Sequence, residues 1–138
     1  MTGDSRNAEL DQLRHELVGT AESIVAGVHP GDDVVKSAVR SVLKALTLAH
    51  PGKAAELRVA PYGAVQLLGG HVHRRGTPPT VVSLTPVTLL GLFTGMLGVE
   101  AAAGAARSSV SGSRGNDVLE VIAAGSREAQ QEPDGRSS

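Results

Sequence analysis

The chain has 138 residues, 41% of them hydrophobic, with 13 basic and 14 acidic side chains and no cysteine. That length holds one small domain around one core, and the lack of cysteine excludes disulfides, thiolate metal sites, iron–sulfur clusters and cysteine nucleophiles. The balanced charge, the absence of Trp, and Tyr62 and Phe93 as the sole aromatics exclude the basic stripe of a nucleic-acid binder and the stacking platforms that read single strands.

Residues 1–7 are polar with both charge signs and read as a disordered N-terminus. No apolar stretch follows them, so no signal peptide is expected. Leu10, Leu13, Leu17, Ala21, Ile24 and Val28 recur at three- and four-residue spacing, which predicts an amphipathic helix over about 8–27, stopped by Gly27 and Pro30-Gly31. Asp32 or Asp33 can cap a second helix, whose apolar face is Val35, Val39, Val42, Leu46 and Ala49. Pro51-Gly52 ends it, and the short connection makes residues 8–50 an antiparallel helical pair packed on the core.

After Gly52 the hydrophobic period changes. Leu57-Arg58-Val59, Tyr62 to Leu68, His71-Val72-His73 and Val81-Val82 read as strands, with turns at Pro61 and Gly69-Gly70. Sequence does not decide whether the bonds to Pro61, Pro78 and Pro79 are cis. Thr85 is an N-cap with Pro86 at the first helical position, for a helix to about Thr94 ended by Gly95. An alanine-rich helix over Val99–Ala106, a strand over Ser108–Ser113 and a short helical turn from Asn116 or Asp117 through Ile122 complete an α+β core over 51–124. Residues 125–138 are Ser-, Gln-, Glu- and Arg-rich and read as a disordered tail.

The candidate chemistry is sparse. His71 and His73 fall on one face of a strand, but two imidazoles without a third ligand do not make a zinc site, so no metal is expected. Arg74 and Arg75 are the only charges between Arg58 and Glu100. Their guanidiniums can grip a carboxylate or phosphate, yet no glycine-rich phosphate loop accompanies them. The middle acids Glu56, Glu100, Asp117 and Glu120 are widely separated, and Ser109, Ser111 and Ser113 lack a nucleophile motif. No catalytic residue and no cofactor are expected.

The uncharged stretch 76–99 contains Pro78, Pro79 and Pro86 and four glycines, so it does not read as a membrane span. Within it, Leu89, Leu90, Leu92, Phe93, Met96 and Leu97 are too many apolar side chains for one helical stripe. Such a helix is buried, lines an apolar cavity or meets a partner. Gly91 and Gly95 at four-residue spacing permit close approach of another element.

Three segments carry a family resemblance over residues 51–122. Leu57-Arg58-Val59-Ala60-Pro61-Tyr62-Gly63-Ala64-Val65-Gln66 is similar to the opening strands of the bacterial sterol-carrier-protein orthologue family, whose members are of actinobacterial type. His73 with Arg75-Gly76-Thr77-Pro78-Pro79-Thr80-Val81-Val82 resembles the same family's signature. Thr85 to Gly95, the alanine-rich helix and Val110-Ser111-Gly112 resemble the general sterol-carrier pattern of helix, helix and strand. Ser83 and Thr85 stand where that family has acids, and Leu89 or Leu90 where it has a helix Trp.

The resemblance implies a small curved sheet backed by helices around an apolar cavity, preceded here by the helical pair. It implies a non-enzymatic cytoplasmic protein that binds a lipid, fatty acyl or sterol-like ligand, and it brings no catalytic residues. Leu89, Leu90, Phe93, Met96 and Leu97 would line the cavity, with Arg75 near a ligand head group. The alternative is an assembly module, a homodimer among its forms, or an enzyme-accessory domain using His71, His73 and Arg75, because fold alone does not fix function.

Overall fold

The computed structural model describes residues 2–70 and 79–123. His71, His73, Arg74 and Arg75, as well as the tail 125–138, lie outside the described residues. Helix α1 spans Thr2–Val25 and α2 spans Asp32–Ala49. Strands β1 (Ala55–Val59), β2 (Gly63–Leu67) and β3 (Thr80–Ser83) follow. Then come α3 (Pro86–Thr94), α4 (Val99–Ala103), β4 (Ser109–Ser111) and α5 over 115–123. The fold is α+β: a four-stranded mixed sheet backed by helices, with the two N-terminal helices first.

The helical stripes behave as their spacing requires. On α1, Leu10, Arg14 and Ala21 are buried, and Leu13, Leu17 and Ile24 pack beside them. Val28, expected on that stripe, is 60% exposed because the chain leaves the helix at Val25. On α2, Val35, Val39, Val42 and Leu46 are buried together with Ala38 and Leu43. Its N-cap is Gly31, not an aspartate; Asp32 and Asp33 sit in the first turn instead, where their charge complements the helix dipole.

The sheet order is β2-β1-β3-β4, with β1 parallel to β3 and the other pairs antiparallel. Register puts Leu57 between Val65 and Val82, with Val110 beyond, so these four share one face. Leu57 and Val82 there are fully buried. The other face carries Glu56, Arg58, Val81 and Ser83, and Arg58 bridges Glu56 at 3.0 Å. The Ala60–Pro61 peptide is cis. Gly52, at φ 149°, lies so close to the Leu68 carbonyl that a Cβ would overlap it, which locks the α2–β1 connection against the end of β2.

Helix α3 starts as the sequence requires: Thr85 Oγ1 accepts from the Thr88 N–H at 3.1 Å, Pro86 occupies the first turn, and Gly95 closes the helix in the left-handed region. Leu89, Leu90, Leu92 and Phe93 are all buried, because α1 and α2 pack on one side and α4 on another. α4 is shorter than expected, since after Gly104 the bonding tightens to three-residue turns, Ala105 N–H to the Ala102 carbonyl and Ser108 N–H to the Ala105 carbonyl. α5 is longer, and it buries Val118, Leu119, Ile122 and Ala123.

One charged side chain ties these helices together. Arg14 is 6% exposed. Its Nε donates to the Phe93 carbonyl at 2.9 Å and its Nη2 to the Ile122 carbonyl at 3.2 Å, while Nη1 meets Asp11 Oδ1 at 3.1 Å. The guanidinium also lies 4.6 Å from the Phe93 ring centroid, a cation–π contact. Nearby, partial burial and the positive charge of Arg14 hold the His50 imidazole below its usual pKa.

Two outcomes follow from this centre. Arg14→Met keeps much of the packing but removes the guanidinium donor from the Phe93 and Ile122 carbonyls. The expected loss is about 3 kcal/mol in urea unfolding, on the scale of leaving buried acceptors unsatisfied; a loss under about 1 kcal/mol would show that water replaces the guanidinium. For His50 the unfolded chain takes up a proton first as pH falls, because the folded-state pKa lies below the ordinary 6.5. Folding stability is therefore undiminished above that value, falls as pH drops through it, and levels below the folded pKa. In urea titrations at pH 7.5 and 5.5, His50→Gln should lose less stability than wild type over that interval; equal losses would contradict the assignment.

Candidate functional site

Two open clefts of comparable size flank the opposite ends of α3. The first has a volume of about 640 Å³ and lies where the C-terminal end of α3 meets α4 and α5, within the range of small-molecule sites. Leu92, Leu97, Val99 and Ala123 supply apolar wall, and Glu100, Asn116 and Glu120 supply polar atoms. Among the described residues no basic side chain lines it.

Leu97 reaches this position through a close approach to α3. Its N–H donates to the Gly91 carbonyl at 3.0 Å, and a Cβ on Gly91 would stand 2.9 Å from both Leu97 Cγ and Cδ1. The glycine is thus the seat that lets Leu97 fold back and form wall. Val99 and Glu100 open the short helix α4, and Asn116, Glu120 and Ala123 fall at i, i+4 and i+7 on one face of α5. Oε1 of Glu120 is buried.

The expected liners are divided by the fold. Leu97 lines this cleft. Met96 is 39% exposed beside it in the chain. Leu89, Leu90 and Phe93 are buried in the central core and do not line the cleft, whereas Leu92 does. Arg75 lies outside the described residues. Sequence spacing missed Asn116, Glu120 and Ala123 because their shared face exists only once 115–123 is one continuous helix.

The second cleft, about 660 Å³, lies at the other end of α3. Its apolar wall is Ala60, Pro61, Leu84, Pro86 and Val87, and its charged groups are Arg58 and Arg107. Among the described residues no carboxylate lines it, so the described charged side chains of the two clefts are of opposite sign.

Among the described residues no cluster of three or more His, Asp or Glu side chains is arranged to hold a metal ion, and no helix is long and apolar enough to cross a membrane.

No curated protein matches the chain. A family model described as bacterial SCP ortholog matches residues 32–123. That match runs from the start of α2 to the end of the described part of α5, taking in the whole sheet, α3 and both clefts, while α1 precedes it. With two thirds of its residues matched, and with the mixed sheet and buried α3 that the opening strands and the Thr85–Gly95 segment foreshadow, the chain belongs to the bacterial SCP ortholog family.

Proposed function

We propose that the protein is a non-enzymatic carrier, acting in the cytoplasm, of an apolar or amphipathic ligand such as a lipid, fatty acyl chain or sterol. The observation that supports this reading most is the 640 Å³ cleft with apolar wall on Leu92, Leu97, Val99 and Ala123. A ligand held there contacts Leu97 directly. Met96 at the rim adds an unbranched, adaptable side chain. Leu89, Leu90 and Phe93 act beneath it as the packed floor that keeps the wall in place. Family membership supports the carrier class, and the absence of a nucleophile motif in the sequence gives catalysis no starting point.

A second reading, an assembly module, is favoured by one feature. Val25, Val28 and Val34 are 61%, 60% and 46% exposed around the α1–α2 connection, an apolar surface suited to a second copy of the chain. Sedimentation at rising concentration separates the two readings, because a chain that stays monomeric and carries a lipid supports the carrier alone.

The carrier reading is tested by native mass spectrometry of freshly purified protein, followed by titration with a fluorescent fatty acid, an acyl-CoA and a sterol. One bound molecule per chain is expected for at least one probe. Leu97→Ala should weaken that probe about tenfold, the value of one lost apolar contact of roughly 1.5 kcal/mol. No saturable binding of any probe, or binding indifferent to Leu97, overturns the assignment.

A further inference from the structure

The cleft at the N-terminal end of α3 is used by neither reading above, and we propose that it binds a small organic anion, a carboxylate or phosphate monoester carrying a short apolar group. Three observations converge on it. The first is shape and apolar character: a volume of about 660 Å³ with Leu84 as buried floor and Pro61, Pro86 and Val87 as wall. Val87 is 48% exposed there, a large apolar side chain left facing the open side.

The second is charge. Arg58 and Arg107 both line the cleft. β-register fixes Arg58 beside Ser83, another lining residue, and the Arg58 carbonyl accepts the Leu84 N–H at 2.9 Å. Arg58 spends one Nη on Glu56 at 3.0 Å, and a guanidinium has five N–H donors, so donors remain for an anion. Arg107 has no acidic partner within 4 Å among the described residues. Two guanidiniums lining one cleft, with the Ser83 hydroxyl in the same lining, suit the flat, multi-acceptor face of a carboxylate or phosphate. The helix end contributes little: Pro86 has no N–H and the Thr88 N–H is taken by Thr85. The arginines therefore carry recognition.

The third is conformation. Arg107 holds φ 66°, in the left-handed region that L side chains other than Asn and Asp seldom occupy. The following Ser108 N–H is fixed to the Ala105 carbonyl at 3.1 Å. Glycine would serve this turn with less strain, yet the position holds a long cationic side chain that lines a cleft. Strain kept at a charged, solvent-accessible residue is the pattern of a binding position.

Arg107→Gly makes a clean test, because glycine suits φ 66° and the variant should unfold at a temperature equal to or above that of wild type. Titration of the full chain with hexyl phosphate and hexanoate, followed by amide chemical shifts, should show saturable binding that moves Val87 and Arg107. Hexanol and inorganic phosphate should each bind at least tenfold more weakly, since each lacks half of the recognition. Arg107→Gly should weaken hexyl phosphate at least tenfold, Arg58→Gln should weaken it as well, and Leu97→Ala should leave it unchanged, which separates this site from the carrier cleft. Unchanged affinity in Arg107→Gly, or shifts confined to Leu97, Glu100 and Glu120, overturns the proposal. Inorganic phosphate binding as tightly as hexyl phosphate overturns the apolar half of the assignment.

Discussion

The buried guanidinium of Arg14 is the constraint on which the rest of this fold depends. A helix leaves its last carbonyls without partners, and a short helix sunk in a core cannot pass them to water. α3 has this difficulty at Phe93, and one side chain from α1 serves that carbonyl and the Ile122 carbonyl of α5 as well. The positive charge sits at the C-terminus of α3, where the macrodipole favours it, and the Phe93 ring covers part of it. Burying an arginine is costly unless its donors are used; here three of them are placed on oxygen. The same charge acts on His50, so the centre joins α1, α3, α5 and the end of α2 in one electrostatic unit.

That arrangement gives α1 a role the family match does not cover. The matched residues begin at position 32, yet the two carbonyls that Arg14 satisfies belong to matched helices. Taken alone, the matched part would expose Phe93 and its carbonyl where α1 now packs. The first helix is thus a lid over the core that also completes its hydrogen bonding, and Leu10 is buried in the same core cluster. Hydrophobic burial holds α1 in place and the guanidinium sets its register, since a shift of one residue would turn Arg14 about 100° around the helix.

Much of this architecture was legible in the sequence where a local rule decides the outcome. The α2 stripe, the Thr85 cap with Pro86, the Gly95 stop and the strand at Leu57–Val59 all rest on neighbours within a few residues, and each stands in the structure. The family was legible for a related reason: its signature is contiguous. What escaped were relations between distant residues. Arg14 reads in the sequence as one polar residue beside an apolar stripe, and nothing within 70 residues announces the carbonyls it meets. The clefts escaped likewise. Apolar density drew attention to Leu89, Leu90 and Phe93, but density marks what is packed most tightly, and α1, α2 and α4 close around those side chains. Leu97 proved to be wall because Gly91 leaves room for it. Arg107 carries no local signal at all, since its left-handed backbone is visible only in three dimensions.

Helix α3 is accordingly best understood as a spine whose two ends have different chemistry. At its N-terminal end the partial positive charge of the helix is joined by Arg58 and Arg107. At its C-terminal end the partial negative charge is joined by Glu100 and Glu120, and Arg14 offsets it from the buried side by taking the Phe93 carbonyl. Side chains that neutralised the helix would be arranged the other way round. The arrangement found here sharpens the difference between the two ends instead, while Leu89, Leu90, Leu92 and Phe93 lie buried between them. A near-neutral chain, at one net negative charge, thereby presents two clefts of similar size whose described lining side chains differ in the sign of their charge.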